Sequence, residues 1–443
     1  MTTSFPTKKK IRTLQLIAVV FFTVSGGPYG LEPLLQYAGQ HGALLLLLVT
    51  PLLWDIPAIF TVLELNSMMP VEGGYYRWVK HALGTRWGFF EGWWTWLYTF
   101  IDLAIYPVLF VEYAAYFFPE LREHKMAVCM VIIWASAGLN ILGILQVGRV
   151  SLLLSVAVLT PFIILLLVFL HRHTGTVALP SPSIKGIAFP SLAMALYTVM
   201  WNCLGWDNVT TYAGEVEKPV RSYLISIFTA FVLVLIVYFF AILTAQQSHI
   251  DLNIFTNNGF PALGEMLGGR WLGIVLAAGG MASALGIYAA VLLSVSRVPK
   301  VMSDDKLLPE FLNKLHPRFK TPYVSIIICS LVVSLMVLWS FADLLIIDVT
   351  VYGAGLFLEY VSLIRLRIKE PHTPRPFRIS MSTTALCIAA VLPLGVYSIA
   401  LSGALSSEGK GIWPAVFAIC TLLTAEIGWQ IVRRWRNSIN TSA

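Results

Sequence analysis

Four carboxylates, Glu32, Asp55, Asp102 and Asp207, fall near the middle of stretches that are otherwise almost wholly apolar. A carboxylate taken out of water resists ionisation unless a counter-charge or a hydrogen-bond donor meets it. Groups of this kind are poised to exchange protons or to hold a mobile cation. Glu32 closes the run Ser25-Gly26-Gly27-Pro28-Tyr29-Gly30-Leu31-Glu32, whose three glycines and proline break the hydrogen-bond ladder of a helix. Backbone freed at membrane depth is tolerated only beside protein or a water-filled cavity. The run therefore presents bare amides, carbonyls and one negative charge to something other than lipid.

A second interruption follows at Trp201-Asn202-Cys203-Leu204-Gly205-Trp206-Asp207-Asn208, where Gly205-x-Asp207 echoes Gly30-x-Glu32, 175 residues earlier. Gly-x-acid is common by chance; the pair has weight because both copies sit in mid-span. Trp201 and Trp206 bracket the second break. Their ring faces suit an alkyl-ammonium through cation–π contact worth about 0.5–2 kcal/mol each, or a steric gate. Most other aromatics, in a chain that is 13% Phe, Trp and Tyr, are core filling or interfacial belt. Asp102 lies on an aromatic-rich span, with Tyr98 and Tyr106 on its helical face at i−4 and i+4.

Not every acid points to chemistry. Glu64, Glu112, Asp348, Glu359 and Glu426 lie nearer span ends, and for all of these but Asp348 the expected use is capping or contact with interfacial water. Asp55, in Trp54-Asp55-Ile56-Pro57, has a structural alternative in satisfying backbone freed by Pro57. No Lys or Arg falls in the interior of the apolar spans; those within their bounds stand at the ends. The mid-span acids must then be neutralised from outside, by a cationic substrate, by protons, or by both.

These residues need a membrane scaffold, and composition supplies one. The 443 residues are 57% hydrophobic and 12% charged, with a mean hydropathy of +0.77. A soluble domain of this size does not have that balance. The net charge of +7 is not a nucleic-acid signature, because apolar runs long enough for a ~30 Å hydrocarbon core recur along the whole chain. Twelve spans are expected, near 12–37, 41–66, 86–117, 126–147, 149–171, 188–214, 219–247, 270–298, 322–340, 342–364, 380–403 and 411–432. The third, sixth and eighth exceed one crossing, which implies tilt or extension into solvent.

Charge placement sets orientation. Lys8, Lys9, Lys10 and Arg12 precede the first span, and following the crossings puts 24 Lys and Arg on the cytoplasmic side. Six remain outside: Arg122, Lys125, Arg172, Lys185, Arg270 and Lys410. Both termini are expected in the cytoplasm of a multi-pass protein of the inner or plasma membrane. The five cysteines, Cys129, Cys203, Cys329, Cys387 and Cys420, fall within spans, so no structural disulfide is expected. The first span has no small-residue cleavage site and does not read as a signal peptide.

Loops are short except 248–269 outside, which suits a re-entrant or lid segment, and 299–321 inside, which suits a solvated helix-turn. Pro70-Val71-Glu72-Gly73-Gly74-Tyr75-Tyr76-Arg77-Trp78 suits a cytoplasmic interfacial helix. Two polar-interrupted helices at matching places in two five-span halves are the sequence mark of an inverted-repeat transporter. The expected fold is an all-α membrane protein with a five-plus-five inverted repeat and broken helices 1 and 6. Its first repeat is 12–171, its second 188–368, and helices 11 and 12 occupy 380–432.

The Ser25–Glu32 run resembles the first-helix motif of the amino acid–polyamine–organocation superfamily. Its Gly-Gly-Pro-aromatic-Gly-aliphatic-Glu form is similar to the branch of plant and protozoan polyamine uptake transporters. The resemblance extends through Pro70-x-Glu72-Gly73-Gly74-Tyr75, Trp87-Gly88-Phe89-x-Glu91-Gly92, Asp102, Tyr106-Pro107-Val108-Leu109-Phe110 and Trp201-Asn202. It continues through Trp206-Asp207, Ala213-Gly214-Glu215-Val216-Glu217-x-Pro219, and Leu366-Arg367-Ile368-Lys369 before Arg375-Pro376-Phe377-Arg378. It implies alternating access, with a site between helices one, three, six, eight and ten. It also implies that the Gly26 and Gly27 amides bind a substrate carboxylate in amino-acid transporters, a use of backbone N–H groups that physics supports. By the same resemblance Trp201 corresponds to an aromatic gate and Asp207 to a proton-sensing position.

Three departures stand out. Many amino-acid-transporting relatives carry a lysine in the fifth span in place of sodium, and 149–171 has none. The segment from Phe118 to Lys125 lacks the cysteine of heavy-chain-linked exchangers, so no disulfide-linked heavy chain is expected. Asp55 stands where the plant proteins would have a small polar residue.

The resulting expectation is a proton-coupled transporter of an organic cation such as putrescine or spermidine, with no cofactor, no metal and no nucleic-acid partner. Substrate contacts are expected from Gly26, Gly27, Tyr29, Glu32, Tyr98, Asp102, Trp201, Asn202, Trp206 and Asp207, and proton coupling from Glu32, Asp102, Asp207 and Asp55. One alternative keeps the fold and changes the ligand to an amino acid. Another is a sensor or channel that binds without coupled transport. An intramembrane enzyme is disfavoured, since no nucleophile–base pair accompanies the acids.

Overall fold

The computed structural model describes residues 10–172, 180–337, 341–406 and 412–441, with side chains placed for all of these except 341–343 and 437–441. Lys8, Lys9 and Lys410 of the charge count, and the predicted span residues 338–340 and 411, lie outside the described residues.

The described chain is helical and contains no β-strand. In order the helices are α1 (Thr13–Val24), α2 (Pro33–Leu53), α3 (Asp55–Met68), α4 (Gly74–Leu83), α5 (Thr85–Ala114) and α6 (Lys125–Leu142). Then come α7 (Ile144–Arg172), α8 (Phe189–Trp201), α9 (Pro219–Gln247), α10 (Leu252–Gly268), α11 (Arg270–Val295) and α12 (Arg297–Asp304). The series closes with α13 (Tyr323–Met336), α14 (Phe341–Lys369), α15 (Thr383–Ala389), α16 (Val391–Leu405) and α17 (Ile412–Thr441). Among the described residues nine helical runs are long and apolar enough to cross a membrane, counting α2 with α3, α11 with α12 and α15 with α16 as single runs. The apolar helices α1, α8 and α13 are shorter.

Two of those short helices end for a local reason. α1 stops at Val24 because Gly26, Gly27 and Gly30 take φ of 65°, 103° and 99°, left-handed backbone that costs glycine little and other residues much. After the break Glu32 precedes Pro33, the first residue of α2. Proline is tolerated there because that N–H would have no helical partner anyway. α8 stops at Trp201; Gly205 (φ 94°) follows, and the chain continues in two 3-10 turns, Asn208–Thr211 and Ala213–Glu215. The sixth predicted span is therefore not one long helix.

α5, α11 and α14 form the interior, with α5 packed against both others. α7, α16 and α17 carry exposed apolar side chains such as Leu153, Val156, Ile163, Leu394, Leu423 and Ile427, the surface that a bilayer would cover.

Two loop expectations change, and the third loop gains a defined form. The segment read as an interfacial helix is α4, but Tyr75, Tyr76, Trp78 and Val79 are buried, because Gly74 lets its start approach Thr210 and Gly73 lets it approach Val301. The inner loop extends α11 through α12, and Val301, Met302, Leu307 and Leu312 are buried rather than solvated. The outer loop is α10, kinked at Gly259 and capped by Asp251, whose side chain accepts from the amides of Asn253 (2.9 Å) and Ile254 (3.0 Å). It lays Phe260 edge-on to Tyr29 and Phe162.

Candidate functional site

The two breaks meet. A Cβ built on Gly30 would fall 2.7 Å from Trp201 Cζ3, so the indole fills the space where residue 30 has no side chain. The Asn202 side-chain amide donates to Thr198 O (2.8 Å) and reaches Gly30 O (3.4 Å). From α9, the Tyr238 hydroxyl lies 2.7 Å from both Ser25 Oγ and Asn202 O, tying one break to the other. Asn202 and Tyr238 thus satisfy part of the irregular backbone, as a break buried in protein requires.

Within the first break the amides are already engaged. Gly26 N donates to Phe21 O (2.9 Å) and Gly27 N to Ser25 Oγ (3.0 Å). In this conformation the pair offers no free N–H to a carboxylate ligand. Gly30 N donates to Glu32 Oε2 (2.6 Å), and the Tyr113 hydroxyl of α5 donates to Glu32 Oε1 (2.8 Å). Gly259 of α10 comes so near that a Cβ there would sit 2.9 Å from Glu32 Oε1. Tyr29 turns away from the acids: its hydroxyl donates to Leu276 O (2.8 Å), and its ring packs edge-on to Tyr113 and Phe162.

Asp102 is the centre of a second group. Its Oδ1 accepts from the Tyr106 hydroxyl and from Trp201 Nε1 (3.3 Å), and the Tyr106 and Trp201 rings stack with centroids 6.1 Å apart. Asp348 of α14 faces Asp102 across the helix interface, fully buried, with neither carboxylate oxygen hydrogen-bonded. Two carboxylates held together in low dielectric demand a proton or a cation between them.

Asp207 anchors a third group. Its Oδ1 accepts from the Tyr352 hydroxyl (2.9 Å), while Tyr98 donates to Asn208 Oδ1 (2.9 Å) rather than turning to Asp102. Glu91 of α5 and Glu359 of α14 lie beside it. Trp206 is elsewhere: its Nε1 donates to Asp55 Oδ1 (3.1 Å) and its ring packs on Phe231. The structure therefore joins Trp206 to Asp55, and brings Trp201 alone to Asp102. Asp55 serves the indole, not backbone freed by Pro57.

The peripheral acids divide. Glu112 pairs with Arg122 (3.0 Å) and Glu426 with Arg86 (2.6 Å), both at the surface. Glu64, expected at interfacial water, is instead buried against Arg367, whose Nε donates to Oε1 at 2.7 Å. Glu359 is buried too, contrary to the expected capping role. Arg297, counted with the inner loop, is buried 3.4 Å from Glu215. These buried arginines leave the central acids alone: among the described residues no Lys or Arg pairs with Glu32, Asp55, Asp102, Asp207 or Asp348.

Asp348, Glu91, Glu359, Tyr113 and Tyr352 were not among the expected site residues. A signal for four of them, all but Tyr113, exists in register. Glu91, Tyr98 and Asp102 share one face of α5, and Asp348, Tyr352 and Glu359 share one face of α14.

Residues 11–424 match the family model described as amino acid permease. The chain is 33% identical over 395 residues to the polyamine transporter RMV1 of Arabidopsis thaliana, covering 88% of this chain and 80% of that protein. It is 31% identical over 394 residues to the polyamine transporter PUT1 of Oryza sativa subsp. japonica, covering 87% and 72%. Similarity to the serine/threonine exchanger SteT of Bacillus subtilis (strain 168) is 23% over 339 residues, covering 72% and 74%.

Proposed function

The chain belongs to the amino acid permease family, and from that premise we propose that it moves an organic cation of the polyamine class across a cell membrane by proton-coupled alternating access. Membership makes it a multi-pass membrane transporter and not an enzyme. The finer architecture belongs to the proposal: twelve crossings, an inverted repeat of 12–171 and 188–368 followed by 380–432, and both termini in the cytoplasm. The meeting of the two breaks at Gly30 and Trp201 supports that reading.

One observation carries the substrate class. Asp102 and Asp348 face each other in the interior with no basic side chain to neutralise them. An ammonium group fits between them chemically, and the stacked Trp201–Tyr106 rings give its alkyl chain an apolar wall. Glu32, held by Gly30 N and Tyr113, is a second anionic pole for a diamine. The Gly26 and Gly27 amides, spent on Phe21 O and Ser25 Oγ, argue against a substrate carboxylate at that place. The 31–33% identical relatives named as polyamine transporters agree with a cation.

A thermal-shift comparison tests the reading. Spermidine or putrescine should raise the melting temperature of the purified protein more than serine, threonine or other neutral amino acids. The reverse ranking would return the site to an amino-acid ligand. Uptake into proteoliposomes driven by an imposed pH gradient tests the coupling.

A further inference from the structure

α5 and α14 run antiparallel with matched polar registers. Asp102 faces Asp348, the Tyr98 and Tyr352 rings meet edge-on at 5.3 Å, and a Cβ on Gly355 would lie 3.0 Å from Glu91 Oε1. From Asp102 to Glu91 this interface covers about 16 Å of helix. It ends in three carboxylates, Glu91, Asp207 and Glu359, which are 1%, 3% and 0% exposed.

The hydrogen bonding of this triad is incomplete. Asp207 Oδ1 accepts from Tyr352, and the Thr95 hydroxyl lies 3.4 Å from Glu91 Oε1. Glu91 Oε2 and both Glu359 oxygens accept from no N–H and no hydroxyl, although each is buried, and Glu359 is directed at the Asp207 carboxyl. The titratable groups around them are Tyr75 from α4, Tyr98 from α5, Tyr352 and Tyr360 from α14, and, beyond Tyr360, Asp55 from α3. None of these brings positive charge.

Three carboxylates in mutual reach and out of water cannot all be ionised without a cation; they share protons instead. A protonated carboxyl also supplies the donor that the buried oxygens require. The close approach of Gly355 to Glu91 leaves no side chain's width between the helices, which suits a proton better than an organic ammonium. We propose that Glu91, Asp207 and Glu359 form a proton-binding site, separate from the Asp102–Asp348 pair, in which protons are held jointly by the three carboxyl groups and exchanged during transport. The site stands on this geometry; its use in the cycle rests on the proton-coupled reading above.

The test has two independent readouts on the full-length protein. Infrared spectroscopy of the purified wild type at neutral pH should display a protonated-carboxyl carbonyl band that weakens in Glu359→Gln and again in Glu91→Gln. In proteoliposomes an acid-outside gradient should stimulate spermidine uptake by wild type, and the stimulation should fall to near unity in either variant. A wild-type spectrum with no band that these substitutions remove would overturn the site. Undiminished gradient stimulation in both variants would overturn its role. Wild type that transports no polyamine, yet keeps the band and its loss in the variants, would remove the proposed substrate while leaving the site in place. If Glu359→Gln does not fold, Glu91→Gln provides both readouts from the other helix.

Discussion

Trp201 occupies the space that any side chain on Gly30 would need, with Cζ3 only 2.7 Å from an ideal Cβ at residue 30. The first helix break and the aromatic residue that ends α8 are therefore one structural unit. Gly30→Ala would add a methyl group against the indole and place alanine at φ 99°. Overpacking and left-handed backbone together cost about 2–4 kcal/mol. We expect a lower melting temperature and transport reduced about tenfold or more, measured by spermidine uptake in proteoliposomes. Normal uptake by this variant would mean that Trp201 moves freely away from the break.

Asp102 and Asp348 should act as a pair. Asp102→Asn and Asp348→Asn keep side-chain volume and remove one charge each, so apparent spermidine affinity should fall about tenfold or more in each. The double variant should lose less than the sum of the two, because the groups share one counter-charge. Binding measured by calorimetry decides the matter: undiminished affinity in both single variants would make the pair structural.

Glu32 holds two donors, Gly30 N and the Tyr113 hydroxyl. Tyr113→Phe removes one hydrogen bond to a carboxylate, worth about 1.5–3 kcal/mol when the acceptor is charged. Substrate affinity should shift less in Tyr113→Phe than in Glu32→Gln, where the charge itself is lost. Equal effects would assign Glu32 a purely structural hold on the break.

Trp206 and Asp55 form a unit away from the Asp102 group. Trp206→Phe leaves the buried Asp55 carboxylate without its indole donor, at a cost of about 1–3 kcal/mol. Stability should fall while the ranking of spermidine over amino acids is kept in the thermal-shift assay. A reordered ranking would restore Trp206 to the substrate site.

Asp305, just beyond α12, meets Arg77 (2.8 Å) and Lys80 (2.7 Å) of the α4 helix. Burial pushes its carboxyl up, but hydrogen bonds from Lys80 and Tyr76 and the Arg77 charge hold it below the usual carboxylate range. A folded-state value below the unfolded one stabilises the protein above the ordinary Asp range near ~4, and that contribution is lost as pH falls through the folded value. Asp305→Asn should cost about 1 kcal/mol at neutral pH and flatten the acid limb of the melting-temperature profile. An unaltered profile would show that α4 is held by its buried aromatics alone.

The sequence by itself determined the helical membrane class, the two glycine-marked places where helices break, and the presence of acids in the middle of apolar stretches. Those are local properties: hydropathy needs only a window of residues, and glycine and proline act on their own backbone. Tertiary structure decided which groups meet. Asp102 and Tyr106 were readable as partners because four residues separate them on one helix, but Asp348 lies 246 residues further along and reaches Asp102 only through the antiparallel packing of α5 and α14. Trp206 stands beside Asp207 in the chain yet bonds Asp55, because the loss of helix after Trp201 sends neighbouring side chains to different sides. Glu64 and Glu359 looked alike near span ends; one found Arg367 and the other found only acids. Charge in low dielectric is governed by distance in space, and distance in space between separate helices is what a sequence does not carry.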